Sequence, residues 1–257
     1  MAYRFSLLTL LAAASTTVHA AVPTVNGFTL AWSDDFEGAA GSLPQSRELD
    51  LHHGHVIQSY TKDPANVQLD GNGNVKITAI KNGEAWTSAR IETQRKDFMA
   101  PVGGKMRIQA SLSTPKVAQP LGYWPAFWTL GAAFRGVYTN WPIVGEFDIL
   151  ENVNGEDKNE GIGGSKAGCP NGPCPANFHT YALEVDRTAG EGQEKMTWFV
   201  DDVQYHQILP GKVEASAWKE AVTKPHFLLM NLAIGGAFPQ QGREDDADGG
   251  YHLRRRV

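Results

Sequence analysis

The sequence predicts an all-β fold, a two-sheet sandwich in one domain, and three observations predict it. Strict apolar/polar alternation, the signature of a strand with one wet face, recurs along most of the chain. Gly (27) and Pro (14) make up about one residue in six of the 257, which suits many short strands joined by tight turns. No internal repeat and no Pro/Ser-rich linker divides the chain, so one domain with one core follows.

Taken in order, the elements begin with a targeting segment. Arg4 precedes the apolar run Phe5 to Ala14, and Val18-His19-Ala20 supplies small residues, so residues 1–20 read as a signal peptide cleaved after Ala20. Its apolar run is too short to span a bilayer, no later segment is long enough either, and the mature protein is expected to be secreted. Strands are expected at Phe28 to Trp32, Val75 to Ala79, Ala89 to Gln94 and Met106 to Leu112. Further strands follow at Phe178 to Asp186 and Met196 to Val200, the latter turning through Asp201-Asp202 into Val203 to Ile208. Glu214 to Val222 has a helical pattern, and Phe227 to Ile234, apolar on both faces, reads as a central strand. From Gln240 to Val257, eight of 18 residues are charged and no strand pattern is visible, so a disordered tail is expected beyond a domain of residues 21–239.

Charge excludes one class of partner. With 23 Lys and Arg against 28 Asp and Glu, the net charge of −5 offers no strong positive field for a nucleic-acid backbone. The two cysteines lie in Cys169-Pro-Asn-Gly-Pro-Cys174, and in an oxidising compartment a short disulfide-closed loop is the expected reading. His179 would be a third possible zinc ligand, but a fourth is lacking, so no metal or other cofactor is expected.

The chemistry concentrates in Trp141-Pro-Ile-Val-Gly-Glu146-Phe-Asp148-Ile-Leu-Glu151-Asn152. In a regular strand Glu146 and Asp148 share a face and Glu151 points to the other side. One extra residue in a bulge at Ile149-Leu150 reverses that parity, so all three carboxylates face one way while Phe147 and one of the two aliphatic residues enter the core. Three acids on one face repel one another, by about 1 kcal/mol or more per close pair, which stability alone does not explain. Retaining glycoside hydrolysis does explain it, because that chemistry needs a nucleophilic carboxylate and a nearby protonated carboxyl group.

Beside the acids lies Tyr123-Trp124-Pro-Ala-Phe127-Trp128, followed by Trp141. Trp124 and Trp128 share strand parity and Phe127 has the opposite one, so one face presents indoles and the other packs the core. Sugar rings stack on indoles through their apolar C–H faces; core packing is the competing use of the same side chains.

These motifs resemble glycoside hydrolase family 16, and within it the secreted fungal-type endo-1,3(4)-β-glucanases. The resemblance spans most of Phe28 to Pro239. Its carriers are Trp32 to Phe36, Trp86 to Thr93, Gly122 to Gly131, Gly145 to Gly155, Phe178 to Glu184 and Asn231 to Gly236. It implies a concanavalin-like β-jelly roll with a β-glucan lying across the concave sheet of a monomer. Transferred residue by residue, it implies Glu146 as nucleophile, Glu151 as acid/base and Asp148 as the residue that holds and tunes the nucleophile. It also implies Arg90, Trp124, Trp128, Trp141 and Phe238 as sugar-binding residues.

Three departures stand out. Arg47 to Gln58 is short and His-rich (His52, His53, His55) where relatives carry a longer segment. Few residues remain between Gly155 and Gly161, where relatives place another strand with a His facing the cleft. The chain then runs into its charged tail where relatives have a closing strand. A catalyst is supported by the complete acid set and a non-catalytic glucan-binding member of the same fold by the deletions; a transglycosylase would use the same residues.

Overall fold

The computed structural model describes residues 22–44, 47–49, 56–156, 159–160, 166–236 and 239. The expected signal peptide, the three histidines near position 53, Phe238 and the charged tail lie outside the described residues.

Strands numbered β1 to β16 in chain order build a sandwich. The larger sheet contains, from edge to edge, β1 (Arg47–Leu49), β7 (Arg90–Thr93), β16 (His226–Ile234), β9 (Tyr123–Gly131), β10 (Glu146–Glu151), β11 (Asn159–Glu160) and β12 (Lys166–Ala167). All of its neighbours pair antiparallel. The facing sheet has the order β15 (Val203–Ile208), β14 (Lys195–Val200), β13 (His179–Asp186) and β8 (Lys105–Leu112). Two small sheets flank them, one of β2 (Gln58–Tyr60), β6 (Ala85–Ser88) and β5 (Ile80–Asn82), the other of β3 (Val67–Leu69) and β4 (Val75–Ile77).

The expected alternation accounts for the core. Ile108 of β8, Tyr181, Leu183 and Val185 of β13, and Met196, Trp198 and Val200 of β14 point inward from the smaller sheet. Phe127, Phe147, Ile149, Leu150 and Leu228 meet them from the larger one. Both aliphatic residues of the acidic motif are therefore buried, where one was expected. As expected, β16 is central and buried along nearly its whole length. The helix α1 (Ala215–Thr223) adds Trp218, Ala221 and Val222 to the core. Glu214 caps it by accepting a bond from the Ala217 amide at 3.0 Å, and Lys224 is extended because Pro225 follows.

Two further expectations need correction. Phe28 to Trp32 belongs to no strand; Leu30 is exposed, and the segment is held by a bond from Arg95 to the Ala31 carbonyl and by Trp32 edge-on to Phe98. Apolar alternation there had no sheet edge to pair with. The second concerns the connection after Gly155, whose shortness suggested that the acidic strand would lose its neighbour. Instead β11 lies beside β10, among the described residues through the pair Glu151 and Glu160, and β12 extends the edge beyond it.

Candidate active site

The larger sheet turns one face to the core, and the opposite face carries the acids. On β10, Glu146 lies opposite Leu130 and Asp148 opposite Trp128; the register then shifts, so Leu150 faces Phe127 and Glu151 faces Ala126. Asp148 and Glu151 are three residues apart, whereas their partners Trp128 and Ala126 are two apart. The extra residue, Ile149, is the bulge that keeps Glu146, Asp148 and Glu151 on one face.

A bulge leaves ladder groups to be satisfied elsewhere. Trp198, fully buried on the facing sheet, donates its indole N–H to the Asp148 carbonyl at 2.8 Å. The bulge is thus tied from behind, through the core. Phe147, between the first two acids, stacks on His226 with centroids 4.3 Å apart. The His226 ring accepts from the Thr129 hydroxyl at 3.0 Å and donates to the Ala221 carbonyl at 2.9 Å. Burial pushes this imidazole down to about 4.

Each glutamate receives an indole. Trp141 donates to Glu146 Oε2 at 2.8 Å and Trp124 donates to Glu151 Oε1 at 3.1 Å. Asp148 and Glu151 are buried, and Glu146 is half-buried. Trp128 donates instead to Asn231 Oδ1 at 2.8 Å, and the Arg90 guanidinium lies 5.0 Å above its ring. Trp124 and Trp141 thus contact the glutamates directly, Trp128 lies across the ladder from Asp148, and Arg90 is placed against Trp128. The three indole N–H groups are taken up by Glu151, Asn231 and Glu146, which stacking alone did not predict.

Asn231 and Arg135 were missed. Asn231 had a signal, being the polar residue inside the otherwise apolar run of β16. Arg135 had none, because its partners lie about 40 residues earlier in the chain.

The loop of residues 132–145, which carries Trp141, is fitted closely to the sheet. A Cβ on Gly131 would stand 1.9 Å from the Val144 carbonyl oxygen, and one on Gly145 2.8 Å from Ala221 Cα. Gly145 also has φ +81°, so both positions need glycine. Under the loop a second apolar cluster of Leu130, Val144, Phe227 and Leu229 packs with Trp128, Phe134 and Trp141.

Cys169 and Cys174 form the expected disulfide. Their sulfurs are therefore unavailable as thiolate ligands, and His179 faces Asp201 at 2.7 Å and the Pro173 carbonyl at 3.1 Å. Among the described residues, no three His, Cys, Asp or Glu side chains are grouped to hold a metal ion. Nor is any described helix long and apolar enough to cross a membrane.

A two-sheet sandwich with a bulged acidic strand set among indoles has the architecture of a polysaccharide-cleaving glycoside hydrolase. Residues 65–190 match the family model described as "XgeA-like, catalytic GH16 domain". The structure is similar to an endo-1,3-β-glucanase from Streptomyces sioyaensis, with 38% identity and a TM-score of 0.81 over 86% of this chain and 90% of that one. A laminarinase structure from Rhodothermus marinus has 28% identity and a TM-score of 0.63, over 83% and 89% of the two chains. A curated β-glucanase from the same organism is 29% identical over 241 residues, covering 85% of this chain and 80% of the relative. The chain belongs to glycoside hydrolase family 16.

Proposed function

We propose that the chain is an endo-acting, retaining β-glucanase that cleaves β-1,3- or mixed-linkage β-1,3(4)-glucan. The observation that carries this reading is the bulge at Ile149, which gathers three acids on one face and gives each glutamate an indole donor. The names of the similar glucanases and laminarinases support the substrate class.

Glu146 is the nucleophile. Its carboxylate, held by the Trp141 N–H on Oε2, attacks the anomeric carbon. Glu151 is the acid/base. In this role it gives a proton to the departing glycosidic oxygen, and the resulting carboxylate then activates the water that hydrolyses the glycosyl-enzyme, with the Trp124 N–H holding the group on Oε1. Asp148, buried between them on the same strand face, holds and tunes the nucleophile. Arg90, Trp124, Trp128 and Trp141 hold the sugars, and the motif resemblance adds Phe238 as a further sugar-binding residue.

The mature domain spans residues 21–239, is secreted after loss of residues 1–20, acts as a monomer and carries a charged tail. The Cys169–Cys174 bridge supports the oxidising compartment that secretion implies. The motif resemblance supports the fungal-type subgroup, and the two-residue strands β11 and β12 are in keeping with a shortened connection after Gly155.

The test is incubation of the chain from Ala21 with laminarin and lichenan. New reducing ends are expected, and proton NMR of the first product should show the β-anomer. Polymer retained but not shortened would favour a glucan-binding protein, and a first-formed α-anomer would exclude retention.

A further inference from the structure

The loop of residues 132–145 carries exposed apolar side chains, Val137, Tyr138 and Ile143, beside Trp141. Much of its internal bonding is local. The Asn140 side chain bonds Ala133, and the amides of Arg135, Val137, Asn140, Ile143 and Gly145 bond carbonyls three residues earlier. Packing on Leu130, Phe227 and Leu229 holds the loop from below, and a directional tie is needed to fix its tryptophan on Glu146.

Arg135 supplies a long-range anchor. Its guanidinium crosses above β16, with Cζ 4.1 Å over the Phe227 ring, and reaches β7 two strands away from β9. There Nε meets Glu92 Oε1 at 3.0 Å, Nη1 donates to the Gln94 carbonyl at 2.9 Å and Nη2 donates to the Thr93 carbonyl. The side chain is largely buried, so these charge-assisted bonds are little screened. Five N–H donors in a planar fork fit a carboxylate and two carbonyls at once, which a lysine ammonium on its flexible stem does not reproduce.

We infer that Arg135 is a positioning residue: by strapping residues 132–145 to β7 it holds the Trp141 indole on Glu146 and so keeps that carboxylate aimed. The inference rests on Glu146 being the nucleophile. Arg135 touches neither Glu146 nor Trp141 through any bond described above; it acts through the loop between them.

A double-mutant cycle tests this on laminarin. Arg135→Ala should lower kcat/KM by about tenfold or more, because slight loosening of an aligned group costs large factors in rate. The acidic limb of its pH profile should move to higher pH, since the hydrogen bond favouring the carboxylate form of Glu146 is weakened. In a Trp141→Phe background the same change should cost only about twofold, because the group it positions is gone. Arg135→Lys should fall between wild type and Arg135→Ala, and it runs the same cycle if the alanine variant fails to fold. Losses that multiply independently in the two backgrounds, with an unmoved acidic limb, would overturn the inference. Glu146→Gln is measured alongside: full turnover there would overturn the nucleophile assignment instead, which separates the two failures.

Discussion

Replacing Trp198 by Phe removes the indole N–H that satisfies the Asp148 carbonyl while leaving an aromatic ring in the core. A buried carbonyl left without its donor costs about 1 to 3 kcal/mol. Trp198 is 0% exposed, so the smaller ring also leaves a void, costing on the order of 1 to 2 kcal/mol. Together these give about 2 to 5 kcal/mol, and at roughly 2 to 4 °C per kcal/mol the melting temperature should fall by about 4 to 20 °C. Stability alone does not identify the bulge as the affected element, so a matched control is needed. Trp218 lies in the same core cluster, and its indole donates to buried Glu194 at 3.0 Å, away from β10. Trp218→Phe should lose comparable stability and keep kcat, whereas Trp198→Phe should lose about tenfold or more in kcat because the acids it backs shift. Calorimetry and laminarin turnover, measured well below both melting temperatures, give the comparison. Equal kcat in the two variants would refute the idea that the core ties the bulge in place.

Further outcomes follow from buried groups and the covalent loop. His226 is held neutral by burial, at about 4 against about 6.5 in the unfolded chain, so the unfolded state binds the extra proton first. Stability should therefore be complete above pH 6.5 and fall as pH drops towards 4, by about 3 kcal/mol from this group; urea titrations of wild type and His226→Gln should differ in slope in that window, and equal slopes would count against it. Closing the Cys169–Cys174 loop restrains the unfolded chain by only about 2 kcal/mol. The double Ser variant should remain folded with a modestly lower melting temperature, since His179 still bonds Pro173 and Asp201; a non-cooperative melt would show that the bridge does more.

Much of the sandwich was legible because its strands are long enough to show a period. Met106 to Leu112, Phe178 to Asp186 and Phe227 to Ile234 each alternate or stay apolar over seven or more residues, close to β8, β13 and β16. The bulge was legible for another reason: parity separates Glu151 from Glu146 unless one residue is inserted. Two-residue strands such as β11 and β12 are too short to carry a period, and Phe28 to Trp32 shows that a period does not create a pairing edge. The site was legible as a set of residue types but not as a set of contacts. Trp198 lies 50 positions from Asp148 and Arg135 lies 43 from Glu92, and no local pattern encodes such pairings.

The assignment of Glu146 as nucleophile is most directly tested by chemical rescue. Glu146→Ala should be inactive on laminarin because no glycosyl-enzyme forms. With azide occupying the vacated space, an activated β-glucoside of laminaribiose should give the α-glycosyl azide, while Glu151→Ala under the same conditions should give the β-azide. Those two opposite configurations are the predicted result. Full polysaccharide turnover by Glu146→Ala, or the same azide configuration from both variants, would contradict it.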